Sequence, residues 1–231
     1  MTFEEVKAAA ETAHAYGRKI NAHTRSILGS KYCVQAGVDG LFHCEHSDEE
    51  LLDMMEAAKD RIFVVPTIDL FHQMASGGAS AWGITPEVAG YMGIPALIEE
   101  SVKTHTALRK RGVRHLIGGD YGFAWTPHGT NAKDLEYFVK YIGMSPMEAL
   151  LSATAWGGPM MKMGKQLGYI REGCLADILL VDGDPLADIT VLQDVRRILA
   201  VMKDGEFHRA PPVRHARTTR WAARASFTGW R

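Results

Sequence analysis

The feature that most constrains the fold is an alternation of helices and short apolar strands over the first 120 residues. Helices are predicted at residues 1–17, 26–36, 47–58 and 96–111, and strands at 19–23, 38–44, 62–66 and 115–119. The strand at 62–66 is apolar at every position rather than at every second one, which is typical of a strand buried on both faces. Strands separated by helices of this size form βαβ units. The sequence therefore predicts an α/β fold with a four-stranded parallel sheet.

Capping signals mark several helix starts. Thr2 with Glu5, and Ser47 with Glu50, have the spacing of capping boxes. Ser145 precedes a proline at the first position of a predicted helix over 146–155, and another helix is predicted at 132–142. Residues 67–95 are long, glycine-rich and without a clean period, which predicts a functional lid or partial helices.

Composition excludes several classes of protein. The 231 residues are 46% hydrophobic and 23% charged, as in an ordinary globular protein, and the net charge of −1 provides no field for nucleic acid or an anionic membrane. No apolar run approaches the ~18–20 residues of a membrane-spanning helix, and the first residues do not resemble a signal peptide. Three scattered cysteines (Cys33, Cys44 and Cys174) predict neither a disulfide framework nor a zinc knuckle, and favour a reducing, cytoplasmic setting.

The character of the sequence changes after residue 166. Residues 176–181 and 195–202 are β-rich, with no helix between them, and Lys203-Asp204-Gly205 is a hairpin-type turn. Beyond Pro211 the chain contains five arginines and no acidic residue, which predicts a disordered basic tail rather than a nucleic-acid arm. The predicted division is an α/β part at 1–166, a β segment at 167–210 and the tail at 211–231.

Polar side chains end three of the predicted strands: His23, His43 and Asp120. Singly, each has a simpler interpretation, because a strand-end histidine is more often packed or hydrogen-bonded and an aspartate after Gly-Gly is often a turn residue. Together they point to a site, because the carboxyl ends of parallel strands meet at one edge of a sheet. Two neutral imidazoles and a carboxylate suit Zn²⁺ or a similar divalent metal.

Such a metal would lower the pKa of a bound water toward ~7, and Asp120 could then accept the proton of that water. His128, in the loop after Asp120, is a candidate substrate contact, although a solvated loop histidine is an equal alternative. His46 is a poorer ligand candidate, because it more simply begins the next loop. No phosphate-binding loop, dinucleotide fingerprint or nucleophile elbow is present in the sequence.

Several ordered motifs resemble the amidohydrolase superfamily, and more closely its imidazolonepropionase- and Xaa-Pro-dipeptidase-like branch. They are Asn21-Ala22-His23, the stretch from Gly37 to His43, Gly118-Gly119-Asp120, the segment from Gly168 to Val181, the segment from Asp184 to Ile189, and the segment from Val201 to Gly205. The likeness extends over nearly all of residues 2–210.

The resemblance implies a metal-dependent (β/α)₈ barrel, of which this chain would provide strands five to eight and then strands of a small β-sandwich. His23 and His43 match the metal-binding histidines that end the fifth and sixth strands of the family. Asp120 matches the aspartate of the eighth strand, which binds metal and shuttles the proton. The family's Gly-Thr-Asp is Gly-Gly-Asp here. The family's His-x-His pair and bridging lysine have no match, since their region would precede Met1.

The function predicted from this resemblance is hydrolysis of a carbon–nitrogen bond by metal-activated water, with one or two divalent ions, zinc being favoured. The substrate would be a small amide, dipeptide or cyclic amide, and no nucleic acid or membrane is expected as a partner. Two open strand edges make homo-oligomerisation a further expectation and make activity of this chain alone doubtful. Two alternatives stay open: a non-catalytic remnant or partner-dependent binding module of the same fold, and a complete small α/β protein that binds no metal.

Overall fold

The computed structural model describes residues 1–211. The predicted basic tail, residues 211–231, lies outside the described residues except for its first position. The nine α-helices of the described part are α1 (Phe3–Ala15), α2 (Ile27–Ala36), α3 (Glu49–Ala57), α4 (Ile68–Ala75), α5 (Pro86–Tyr91), α6 (Ile94–Lys110), α7 (Lys133–Tyr137), α8 (Pro146–Ser152) and α9 (Gly157–Met160). The strands are β1 (Asn21–Thr24), β2 (Gly40–His43), β3 (Phe63–Val65), β4 (Arg114–His115), β5 (Ile178–Val181), β6 (Ile198–Lys203) and β7 (Glu206–Arg209).

The first four strands form one parallel sheet in the order β1-β2-β3-β4, as the alternation of helices and strands predicts. One face of this sheet packs against helices, with Leu41 and Val64 fully buried among residues of α2, α3 and α6. The other face carries Phe63, Val65 and Leu116, against which Trp156 and Met160 pack. Because both faces are covered, the strands need apolar residues at successive positions.

Most predicted helix boundaries agree with the structure. α1 has the capping box of Thr2 and Glu5, and α8 begins at Ser145 with a second one. α2 ends at Gly37, which has a left-handed backbone (φ 85°) that glycine adopts without strain. The cap predicted at Ser47 is one residue off, because Asp48 accepts the amide of Leu51 while the Ser47 hydroxyl bonds Thr104.

Residues 67–95 contain α4 and α5, which agrees with the partial helices predicted there as one of two alternatives. Two other segments differ in detail from the sequence prediction. The helix predicted at 132–142 is α-helical only in α7 and continues as a π-helix over Phe138–Ile142. β4 has two residues and includes only His115 of the strand predicted at 115–119. The amide of Leu116 still donates to Val64, whereas that of Gly118 donates to the side chain of Asp134 instead of to a neighbouring strand.

The last three strands form an antiparallel sheet in the order β5-β6-β7. The hairpin predicted at residues 203–205 is present between β6 and β7, and it turns at Asp204 and Gly205, whose positive φ values (53° and 83°) are those of a tight two-residue turn. In the part of the chain that the structure describes, no helix is long and apolar enough to cross a membrane.

Candidate active site

The three predicted site residues lie at the same edge of the parallel sheet. β1 and β2 run in register, with Thr24 opposite His43 and His23 opposite Phe42. Their carboxyl ends therefore bring the two histidines together. Asp120 follows β4 in a loop that returns to this edge, and its Oδ2 lies 3.7 Å from Nε2 of His43.

His43 is the centre of the cluster. Its Nε2 lies 2.9 Å from Nδ1 of His23, and the two ring centroids are 4.2 Å apart. The side chain of His43 is 1% exposed, whereas that of Asp120 is 44% exposed. His23 is exposed as well. The arrangement has one buried nitrogen donor and two partners that face solvent, so a small molecule or ion could reach it from one side only.

Sequence reasoning missed the residue that holds the end of β2. His43 and Cys44 both have positive φ (70° and 50°), which is unusual for residues with a side chain. Nε2 of His105, from α6, donates to the carbonyl oxygen of His43 at 2.7 Å, and Nδ1 of His105 lies 3.2 Å from Nε2 of His115. His105 is fully buried and stands in an ordinary helical pattern, so nothing in the sequence signals this role.

The electrostatic surroundings keep His43 neutral. Burial, followed by the positive charge of Arg25 and the neighbouring rings of His23 and His105, lowers the pKa of His43 to about 3. A neutral imidazole is the form that binds metal.

Arg25 and Glu45 lie directly behind His43 and were also missed. The Arg25 guanidinium donates to Glu45 Oε1, and its carbon lies 4.9 Å from the ring centroid of Phe71. Burial raises the pKa of Glu45, and the charge of Arg25 opposes that rise. Oε1 of Glu45 is 3.7 Å from Nδ1 of His43, and Oε2 of Glu45 is buried and has no hydrogen-bond partner among residues 1–211. Glu45 therefore offers a buried carboxylate on the side of His43 away from the cluster.

The loop after β4 presents Asp120 in a strained conformation. Asp120 has φ 54°, and its carbonyl oxygen accepts the hydroxyl of Thr126 at 3.2 Å. His128 is exposed in the same loop, where a Cβ atom on Gly122 would lie 3.4 Å from its Nε2. His128 is thus near Asp120 along the loop and forms no hydrogen bond with the three clustered side chains in residues 1–211.

The cluster matches a divalent metal in the chemistry of its donors. Bonds of about 2.0–2.1 Å from zinc to nitrogen place two ligand nitrogens on a tetrahedral ion about 3.3 Å apart. The two imidazole nitrogens at 2.9 Å are in hydrogen-bond contact, so they would separate by a few tenths of an ångström to admit an ion. As they stand, no three histidine, cysteine, aspartate or glutamate side chains among residues 1–211 are arranged to hold one.

A cavity of about 760 Å³ runs beside β1, with apolar walls from α1 and α2 that include Val6, Leu28 and Tyr32. It reaches the cluster through His23 and Arg25, and neither His43 nor Asp120 lines it. The cavity is therefore adjacent to the candidate chemistry rather than centred on it.

Comparisons with known proteins agree on one family. A profile of the amidohydrolase family matches residues 1–207. Ochratoxinase from Aspergillus niger is 30% identical over 215 residues, which cover 91% of this chain and 42% of that protein. A solved Xaa-Pro dipeptidase with bound methionine is 31% identical, with a TM-score of 0.77 over 91% of this chain and 49% of that one. A putative prolidase from Bifidobacterium longum is 27% identical, with a TM-score of 0.81 over 94% and 53%. The chain spans about half the length of the relatives it matches.

Proposed function

Because this chain belongs to the amidohydrolase family, we propose that it forms part of a metal-dependent hydrolase that cleaves a carbon–nitrogen bond. The observation that carries the proposal is the meeting of His23, His43 and Asp120 at one edge of the parallel sheet. The substrate class is a small amide, dipeptide or cyclic amide. The names of the relatives, ochratoxinase, Xaa-Pro dipeptidase and prolidase, support this choice.

The finer fold assignment belongs to the same proposal. β1 to β4 would be strands five to eight of a (β/α)₈ barrel within residues 1–166, and β5 to β7 would belong to a small β-sandwich within 167–210. Two facts support this assignment: the relatives are about twice as long, and the parallel sheet has four strands in sequential order. A closed barrel of this class has eight parallel strands.

His23 and His43 would hold the metal through Nδ1 and Nε2, with Asp120 as the third ligand. A bound zinc ion would supply a Lewis acid that polarises the carbonyl and acidifies the attacking water. Nδ1 of His43 faces the Arg25–Glu45 pair, with the Arg25 guanidinium at 3.5 Å and Glu45 Oε1 at 3.7 Å, so Nε2 is the ring nitrogen that faces the cluster. The buried, neutral state of His43 suits this role.

Asp120 would act first as a base and then as an acid. Its exposed carboxylate accepts a proton from the attacking water as the carbon–oxygen bond forms, and it then gives that proton to the leaving nitrogen as the carbon–nitrogen bond breaks. The amide and one water thus become a carboxylic acid and an amine. His128, in the same loop, would contact the substrate.

The test combines zinc content with turnover of Xaa-Pro dipeptides and N-acyl amino acids by the full chain. We expect bound zinc and only weak turnover, because the chain spans about half the length of its relatives. An Asp120→Asn variant should lower that turnover by at least about 100-fold, the usual scale for a general acid–base group. An Asp60→Asn variant, which changes an exposed aspartate in the turn after α3, controls for the charge change.

Unchanged turnover in Asp120→Asn would contradict the role assigned to this residue. A folded chain with neither zinc nor turnover would instead favour the non-catalytic module of the same fold. That outcome is worth testing, because no three side chains among residues 1–211 are already arranged around an ion.

A further inference from the structure

The loop that presents Asp120 is held from beneath by a buried carboxylate. Asp134, in the first turn of α7, is 2% exposed. One of its oxygens accepts the backbone N–H of Gly118 at 2.7 Å, and the other accepts the hydroxyl of Tyr121 at 3.0 Å. These two donors flank Asp120, two residues before it and one residue after it. We call Asp134 and its two bonds the Asp134 clamp.

The glycine before Asp120 is required by packing rather than by its backbone angles. A Cβ atom on Gly119 would lie 2.7 to 2.8 Å from Cζ, Cε2 and the hydroxyl oxygen of Tyr121, closer than real Cβ contacts. Gly119 is not among the residues with positive φ. The contacted atoms belong to the part of the Tyr121 ring that bonds Asp134. A side chain at position 119 therefore displaces the Tyr121 hydroxyl and weakens the Asp134 clamp.

The neighbouring glycine shows the same restriction on a second side. A Cβ atom on Gly118 would lie 2.5 Å from Cγ1 of Val65 in β3. The loop thus passes between β3 and the Tyr121 ring with no space on either side. Asp120 then takes a left-handed backbone (φ 54°), which is strained in a residue with a side chain and persists only where the surroundings impose it.

We propose that Asp134 is a positioning residue that holds Asp120 in the geometry needed to bind metal. The glycine at position 119 leaves the room that the Tyr121 ring needs to complete the clamp. This inference rests on the proposed function, because it assumes that Asp120 is a metal ligand. Asp134 itself touches neither His23 nor His43 and acts through the backbone and through Tyr121.

The first experiment measures the dissociation constant of Zn²⁺ for the full chain by competition with a chromophoric chelator. Partners that orient metal ligands typically contribute 10- to 100-fold to metal affinity. We expect Tyr121→Phe, which keeps the ring over Gly119 and loses only the hydroxyl, to weaken zinc binding about 10-fold. Asp134→Ala should weaken it further and move the amide resonance of Gly118 in a ¹⁵N-correlated NMR spectrum.

Asp39→Asn is the matched control. Asp39 is another buried aspartate that accepts a backbone amide, from Ile20 at 3.0 Å, but it lies at the amino-terminal end of the sheet. Its substitution should lower stability while leaving zinc affinity within twofold of wild type. An Asp134→Ala chain that shows the shifted Gly118 resonance with unchanged zinc affinity would overturn the positioning role.

The second experiment is a double-mutant cycle at positions 119 and 121. Gly119→Ala should weaken zinc binding at least about 10-fold in the wild-type background and less than threefold when Tyr121 is already alanine. Equal losses in the two backgrounds would contradict the coupling. If Asp120→Asn leaves zinc affinity unchanged, the proposed ligand role fails and the positioning role fails with it. In that case, two measurements still describe the clamp as a purely structural feature. They are the shift of the Gly118 resonance and the same double-mutant cycle measured by unfolding midpoints instead of zinc affinity.

Discussion

The bond from His105 to the carbonyl oxygen of His43 provides the sharpest test of how this site is built. We predict that His105→Leu, which keeps the side-chain volume and removes the donor, destabilises the chain by about 1–3 kcal/mol, the cost of leaving one buried acceptor unpaired. Both residues are buried, so water does not replace the lost donor. Without the bond, the left-handed backbone at His43 can relax, and the strain released offsets part of the lost stability.

The predicted loss of stability is that of one hydrogen bond, because the second contact of His105, with His115, adds little stability. A carbonyl can only accept, so Nε2 of His105 carries the proton, and Nδ1 of His115 carries one for the carbonyl of Val113. Burial lowers the pKa of His105 to about 4 and that of His115 well below its usual value. Both rings are therefore neutral at pH 7.5, and the 3.2 Å contact joins two nitrogens that lack protons.

Urea denaturation of three variants at pH 7.5 tests this reasoning. The amide nitrogen of glutamine lies near the position of Nε2, so His105→Gln should recover most of the loss, whereas His105→Asn reaches only the Nδ1 position and should resemble His105→Leu. If asparagine restores stability better than glutamine, or if the leucine variant is as stable as wild type, the assignment of the His43 bond as the stabilising contact is wrong.

Three further predictions concern the frame around the site. Gly168→Ala should lower stability by about 2–4 kcal/mol in thermal unfolding, because Gly168 has φ 83° and a Cβ atom there would lie 2.5 Å from the backbone of Ala155. Gly173 has a similar φ but no atom of the described residues near its Cβ position, so Gly173→Ala should cost only about 1 kcal/mol in the same assay. Arg25→Leu should cost about 3–5 kcal/mol of stability by leaving the buried Glu45 carboxylate unpaired, and adding Glu45→Gln should recover part of that loss. Equal stability of the single and double variants in urea would contradict the ion pair between Arg25 and Glu45. For Asp39, burial raises the pKa, but Lys19, His14 and the Ile20 amide outweigh it and hold the pKa below its usual value. The stabilisation by Asp39 is therefore complete above pH ~4, the pKa in the unfolded chain, and is lost as pH falls through the lower pKa of the folded chain. The difference in unfolding free energy between wild type and Asp39→Asn should narrow from pH 6 to pH 3. A difference that widens on acidification would show that the assigned direction is wrong.

Local signals in the sequence predicted much of the frame. The capping box of Thr2 and Glu5 marks the start of α1, and Gly37 marks the end of α2. These signals work because a cap depends on residues within one helical turn. The strand-end positions of His23 and His43 follow from the same short-range pattern, because parallel strands align their carboxyl ends once the helices between them are placed.

Other features carried no local signal. The amide of Gly118 leaves the sheet to donate to Asp134, which lies 16 residues further along the chain. The π-helix over Phe138–Ile142 and the cap at Asp48 instead of Ser47 are also invisible in the pattern of apolar residues. His128 was proposed from its place in the loop, and its contact with a substrate stays a prediction.

By itself, the sequence determined the α/β alternation, the family and the strand-end positions of the two histidines, because each is encoded within a few residues or in an ordered set of motifs, whereas Asp120 lies in the loop after β4 rather than at a strand end. The tertiary structure decided what surrounds those residues. His105 reaches His43 across 62 positions, Arg25 pairs with Glu45 across 20, and Asp134 holds the loop of Asp120 from the next helix. Such contacts depend on how helices pack against the sheet, and packing joins residues whose separation along the chain leaves no periodic trace.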